Sequence, residues 1–242
     1  MKTMGPDRAF LTAEWRHLAM LNYEVEPGLL SAFIPAHTEL DHWDGKAFVS
    51  LVGFRFLKTK VCGISIPFHR NFDEINLRFY VRRQSGTEIR RGVVFIKEIV
   101  PRWTIAALAR TLYNERYIAL PMSHRIEQDE TGLSVEYDWR YNATWNRVSL
   151  RTGGEPGLPG EGSLEQFITE HFWGYSAQPD GTTVEYRVAH PSWRVWNRCD
   201  AKLEGDVTEL YGRELASILA GPPSSAFLAE GSAVTVFRGQ KI

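Results

Sequence analysis

Two strand-like runs, Glu74 to Arg82 and Ile89 to Val100, flank the polar turn Gln84-Ser85-Gly86-Thr87, and this pairing restricts the fold more than any other part of the chain. Together the runs are rich in Val, Ile, Phe and Tyr, residues that suit a pleated surface, and Pro101 stops the second one. Phe72 to Trp103 therefore predicts a long antiparallel hairpin. Its second strand carries Lys97 and Glu98 where a buried strand stays apolar. An unpaired buried ammonium is costly, so such a lysine must reach water, find a partner or face a cavity.

The rest of the chain predicts many strands and few helices. Strands are expected from about Leu18, then over Ala47 to Lys58, Cys62 to Phe68, His124 to Gln128, Leu133 to Asn142 and Thr144 to Leu150. Three more are expected over Thr183 to His190, Arg194 to Glu204 and Ala233 to Arg238. Leu133, Val135, Tyr137, Trp139 and Tyr141 alternate with polar residues, the two-residue period of a half-buried antiparallel strand. Helices are expected over Leu29 to Ile34, ended by Pro35, over Thr104 to Tyr117, over Leu164 to His171 behind a Ser163 cap, and near Glu209 to Leu219. Arg151 to Gly162 is a Gly- and Pro-bearing loop, and the strand pattern continues on both sides of it. One domain over residues 1–242 follows, of the α+β class and mostly antiparallel β. Its sheet is expected to curl or close into a barrel, because closure removes exposed strand edges, with a few helices at the periphery.

Composition narrows the partners. A formal net charge of -1 gives no general attraction to nucleic acid or to an anionic membrane, and Arg82, Arg83, Arg90 and Arg91 read as a solvated turn. Residues 1–10 hold Asp7 and no apolar leader, and no window approaches the roughly 20 apolar residues of a membrane span. A cytoplasmic protein is expected, with Cys62 and Cys199 as thiols. His17, His37, His42, His69 and His124 show no metal-ligand spacing, and neither a Gly-x-Ser-x-Gly elbow nor a phosphate-binding loop is present. No metal or cofactor is expected; a homo-oligomer is compatible with the sequence.

Several phrases resemble those of the YqjF-like family, uncharacterised bacterial proteins of the acetoacetate decarboxylase-like superfamily. They are Asp44-Gly45-Lys46-Ala47-Phe48-Val49-Ser50-Leu51-Val52-Gly53-Phe54, Phe72 to Arg82, Gly92-Val93-Val94-Phe95, Glu170-His171-Phe172-Trp173-Gly174-Tyr175-Ser176 and His190-Pro191-Ser192-Trp193. The resemblance implies a bowl-like or closed β-sheet around a central cavity. In the decarboxylase branch a lysine forms a Schiff base with a β-keto acid, and a second lysine depresses its pKa. Lys97 lies on a comparable strand here, but its neighbour is Glu98, and a carboxylate raises a lysine pKa.

A hairpin symmetric about its turn would bring Glu74 near Lys97 and Asn76 near Phe95, with Arg78 on the same face. Facing inward, Glu74, Arg78 and Lys97 form a carboxylate or keto-acid site, Lys97 serving as a point charge or catalytic imine former. Facing outward, they form an ion-pair ladder of little consequence. His171 and Trp173, and His190 with Trp193 and Trp196, either line a small-molecule cavity or build an aromatic core. The leading expectation is a protein that binds a small organic acid or keto acid in a barrel cavity. The alternatives are a Schiff-base lyase using Lys97 and a noncatalytic interaction or oligomer-forming protein with a packed barrel.

Overall fold

The structure, a computed structural model, describes residues 8–103 and 116–242. Its strands are β1 (Ala9–Val25), β2 (Glu39–Leu40), β3 (Ala47–Val61), β4 (Phe72–Ser85), β5 (Glu88–Val100), β6 (Tyr117–Ala119), β7 (Met122–Asp129), β8 (Gly132–Tyr141), β9 (Thr144–Thr152), β10 (Trp173–Ala177), β11 (Thr183–Ala189), β12 (Val195–Trp196), β13 (Cys199–Glu204), β14 (Ser225–Phe237) and β15 (Gln240–Lys241). Each strand of the series β14-β1-β3-β4-β5-β10-β11 is hydrogen-bonded to the next, and β11 pairs back to β14. The expected closed barrel is thus formed by a ring of seven strands. Its pairings are antiparallel except between β5 and β10, where Trp173 meets Gly92 and Gly174 meets Val93 in parallel.

A second, antiparallel sheet of four strands, β13-β9-β8-β7, covers one outer face of the ring. This explains why β3 over Ala47–Phe54 and β4 over Phe72–Val81 are buried continuously rather than alternately. Leu51, Ile75 and Leu77 pack outward into one cluster with Val135, Tyr137, Trp139 and Leu150 of the second sheet. Val52, Phe54, Phe72 and Tyr80 belong to a separate cluster with Leu18, Phe167, Trp193 and Phe227. Alternation on β3 and β4 therefore feeds two cores, one between the sheets and one inside the barrel, while Val184, Tyr186 and Val188 of β11 form a third, smaller cluster.

Several expected elements change. The first strand begins at Ala9, well before Leu18, and accommodates His17 at φ 55 beside a register shift. Cys62 to Phe68 is an exposed turn segment rather than a strand. Arg194 to Glu204 splits into β12 and β13, which belong to different sheets. Near Glu209 the helix breaks at Gly212 (φ 82) into Thr208–Tyr211 and Arg213–Leu219. Leu29 to Ile34 falls in the 3-10 helix Pro27–Phe33, and the helix behind Ser163 spans Leu164–Thr169. The helix expected over Thr104 to Tyr117 lies outside the described residues up to position 115, and Tyr117 opens β6. Among the described residues, no helix is long and apolar enough to cross a membrane.

Candidate functional site

The inside of the barrel holds a cavity of ≈ 150 Å³. That is the size of cavity that accepts a molecule such as benzene. Strand β4 supplies one wall: Phe72, Glu74, Asn76 and Arg78 point in at every second position, while Ile75 and Leu77 pack outward. Phe54, Phe56, Trp15 and Trp193 make an aromatic wall, with Phe56 and Phe72 stacked at 4.5 Å.

Which charge β5 contributes is decided by a bulge. Asn76 lies opposite Glu98 and Leu77 opposite Lys97, but Arg78 lies opposite Phe95, so Ile96 is the extra residue. Without it, strict alternation from Phe95 would turn Lys97 inward. With it, Glu98 lines the cavity and Lys97 shares the outward position of its partner Leu77. The expected symmetric register, with Glu74, Arg78 and Lys97 on one face, is thereby corrected: Lys97 is half-buried outside the lining. Burial, and then the Arg116 charge, lower its pKa there.

Glu74 is almost fully enclosed, at 3% exposure. Asn76 Nδ2 donates to its Oε1 (3.0 Å) and the Tyr117 hydroxyl to its Oε2 (3.2 Å). Burial nevertheless wins over these bonds and over the Arg78 charge, pushing the carboxyl up to about 7. Arg78 is also buried, and its Nη2 donates to the Ile168 carbonyl at 3.4 Å. Its Nε is buried without a hydrogen-bond partner, as is Asn76 Oδ1, and no described carboxylate forms an ion pair with the guanidinium. The cavity wall thus offers unsatisfied donors at Arg78 Nε and Trp15 Nε1 and an unsatisfied acceptor at Asn76 Oδ1.

The two histidines of the lining differ in character. His171 is held by two acceptors, its Nδ1 at 2.6 Å from the Phe167 carbonyl and its Nε2 at 3.1 Å from Asp41 Oδ2. Burial lowers its proton affinity and Asp41 pushes it back up. Burial works to raise the Asp41 carboxyl, but His171 and Arg91 outweigh it and hold it below its ordinary value. His171 is therefore a locked member of the wall. His190 stacks on Trp193 (4.1 Å between ring centres), and its Nδ1 lies 2.9 Å from the Pro191 carbonyl. A carbonyl only accepts, so Nδ1 carries a proton, and in the neutral imidazole Nε2 holds the lone pair. Burial lowers the imidazole's proton affinity; the bond to Pro191 opposes this, and the Arg78 charge adds to it.

Glu74, Arg78, His171 and His190 are thus brought to one cavity, and Lys97 is not. Reading the sequence missed Tyr117, which was assigned to a helix, and the inward turn of Glu98, which depends on the bulge. The arginines flanking the β4–β5 turn are also better anchored than a solvated turn requires. Arg83 and Arg90 close on the buried Glu185 carboxylate at 2.9 and 2.6 Å. Among the described residues, no three His, Cys, Asp or Glu side chains converge as a metal site.

Known proteins place this architecture. Acetoacetate decarboxylase from Legionella pneumophila superposes with a TM-score of 0.66 at 13% identity, covering 100% of this chain and 91% of that one. The enduracididine biosynthesis enzyme MppR complexed with pyruvate gives 0.68 at 11% identity, covering 99% and 92%. These similarities establish an acetoacetate decarboxylase-like fold. In sequence, the chain is 23% identical over 218 residues to the uncharacterized protein YqjF of Bacillus subtilis (strain 168), covering 86% of this chain and 84% of that protein. Residues 12–233 match the model of DUF2071, "Uncharacterized conserved protein", and the chain belongs to that family.

Proposed function

We propose that this is a cytoplasmic protein that binds a small organic acid of the oxo-acid class inside the barrel. The carboxylate of the ligand pairs with Arg78, and its alkyl or aryl end lies against Phe54, Phe56 and Phe72. The observation that carries this reading is the buried Arg78 Nε, which no described group satisfies. A buried guanidinium left without an anion is costly, and a planar carboxylate matches its fork. Two further observations support it: the cavity volume suits a molecule of a few heavy atoms, and a protein of the same fold has been seen with pyruvate.

Trp15, Trp173 and Trp193 line the cavity, so intrinsic fluorescence reports its occupation directly. Titration with pyruvate, 2-oxobutyrate and phenylpyruvate is expected to give a saturable change for at least one of them. Arg78→Met should weaken that affinity by about 10- to 100-fold, the worth of a charged hydrogen bond. Borohydride treatment in the presence of the same acids should leave Lys97 unmodified, because its side chain lies outside the lining. A wild-type protein blind to all three acids, or an Arg78→Met variant that binds them equally well, rejects the reading.

A further inference from the structure

We infer that the cavity catalyses proton transfer at the carbon next to the carbonyl of a 2-oxo acid, with His190 as the base, Glu74 as the acid and Arg78 as the anchor, and without a covalent lysine intermediate. The inference rests on the proposed binding of an oxo acid and adds a reaction to it.

Three features of the lining meet in this assignment. Arg78 is the cation that fixes the carboxylate and so determines which carbon faces which wall. Glu74, Arg78 and His190 belong to one lining, and the Arg78 charge reaches both of the others. His190 has its Nδ1 proton tied to the Pro191 carbonyl and its ring stacked on Trp193, so the Nε2 lone pair is fixed in direction. No described residue hydrogen-bonds to that nitrogen. Glu74 sits in the opposite condition: burial keeps its carboxyl protonated close to neutrality, and its neighbours Asn76 and Tyr117 hold it in place. A base free of its proton and an acid still holding one, in one cavity with a single anchoring cation, are the groups that enolisation requires.

The step balances without any co-reactant. His190 Nε2 takes a proton from C3 of the oxo acid, and the pair of electrons of the broken C3–H bond becomes the C2=C3 double bond. The π pair of the C2 carbonyl takes the Glu74 proton, giving the enol, an imidazolium and a carboxylate. Return of a proton to C3 restores the oxo acid and both side chains. Nothing is oxidised, reduced or released. Asn76 Oδ1, an unsatisfied acceptor of the wall, is available to the enol hydroxyl.

The test is proton-to-deuteron exchange at C3 of 2-oxobutyrate in D2O, followed by ¹H NMR alongside the fluorescence titration. The wild-type protein and Lys97→Ala are both expected to exchange C3 well above the protein-free rate. His190→Asn and Glu74→Gln should each slow exchange by about 100-fold or more while the fluorescence titration still saturates. Near-UV circular dichroism checks that each variant keeps its tertiary packing. Saturable binding by the wild type with exchange at the protein-free rate overturns the inference and leaves the binding reading intact. Absence of binding by any acid removes both. Exchange that is abolished in Lys97→Ala, or unchanged in folded His190→Asn, also overturns it, the former in favour of a Schiff-base route.

Discussion

Glu74 is a carboxyl group whose hydrogen bonds do not compensate its loss of water, and that imbalance has a thermodynamic signature. Its folded-state pKa, about 7, lies above the ordinary value of 4.5, so between those pH values the folded chain holds a proton that the unfolded chain releases. Stability from this group is complete at low pH and is lost as pH rises through that window, with a slope of up to about 1.4 kcal/mol per pH unit. Glu74→Gln keeps the shape and removes the titration. The difference between wild-type and variant urea-unfolding free energies should therefore change steadily from pH 5 to 7, in favour of the variant as pH rises, and level off above. A difference that is flat across this range would show that Glu74 is charged in the folded state. Glu74, Asn76 and Arg78 could be grouped from the sequence because they lie two apart on a strand. Whether Lys97 or Glu98 joins them could not, since nothing in Phe95-Ile96-Lys97 marks a bulge: no glycine or proline interrupts the run.

Two glycine-bearing strands, β5 and β10, meet in parallel at a close backbone approach. At Gly92 a Cβ atom would come within 2.6 Å of the Tyr175 ring and 2.7 Å of the Trp173 carbonyl oxygen. The second contact is backbone and cannot swing away, so β5 and β10 approach this closely because position 92 has no side chain. Gly92→Ala is expected to cost about 1–3 kcal/mol, as overpacking does, in chemical denaturation. Unchanged stability would mean that the seam has slack. The β4–β5 hairpin was legible because a turn sits between two β-rich runs. Strand β10 was not: Trp173-Gly174-Tyr175-Ser176-Ala177 is only five residues long, and although the Pro179-Asp180-Gly181 turn joins it to β11, its parallel pairing with β5 is remote in sequence.

The molecule as a whole is a closed ring with a second sheet laid over one side. The ring followed from strand content, since so many strands without edge protection favour closure. The covering sheet was less visible, because the alternation of Leu133 to Tyr141 describes a strand with one buried face without saying which layer buries it. Ring closure itself is uneven. The β10–β11 hairpin is joined to β5 through two residue pairs and to β14 through two more, whereas β1 is laddered to β3 and β14 along most of its length. Backbone amides at Trp173 and Ala189, which face the two seams, should therefore exchange with solvent deuterium faster than those of Leu51 and Leu77, and slow down when an oxo acid is bound. Uniform protection around the ring would refute this. Trp173, Tyr186 and Val188 of that hairpin also line the cavity. The hairpin is thus a flap sewn by short stitches on both sides, and lifting it away from the barrel breaks only a few backbone bonds while the long ladders of β1 stay closed.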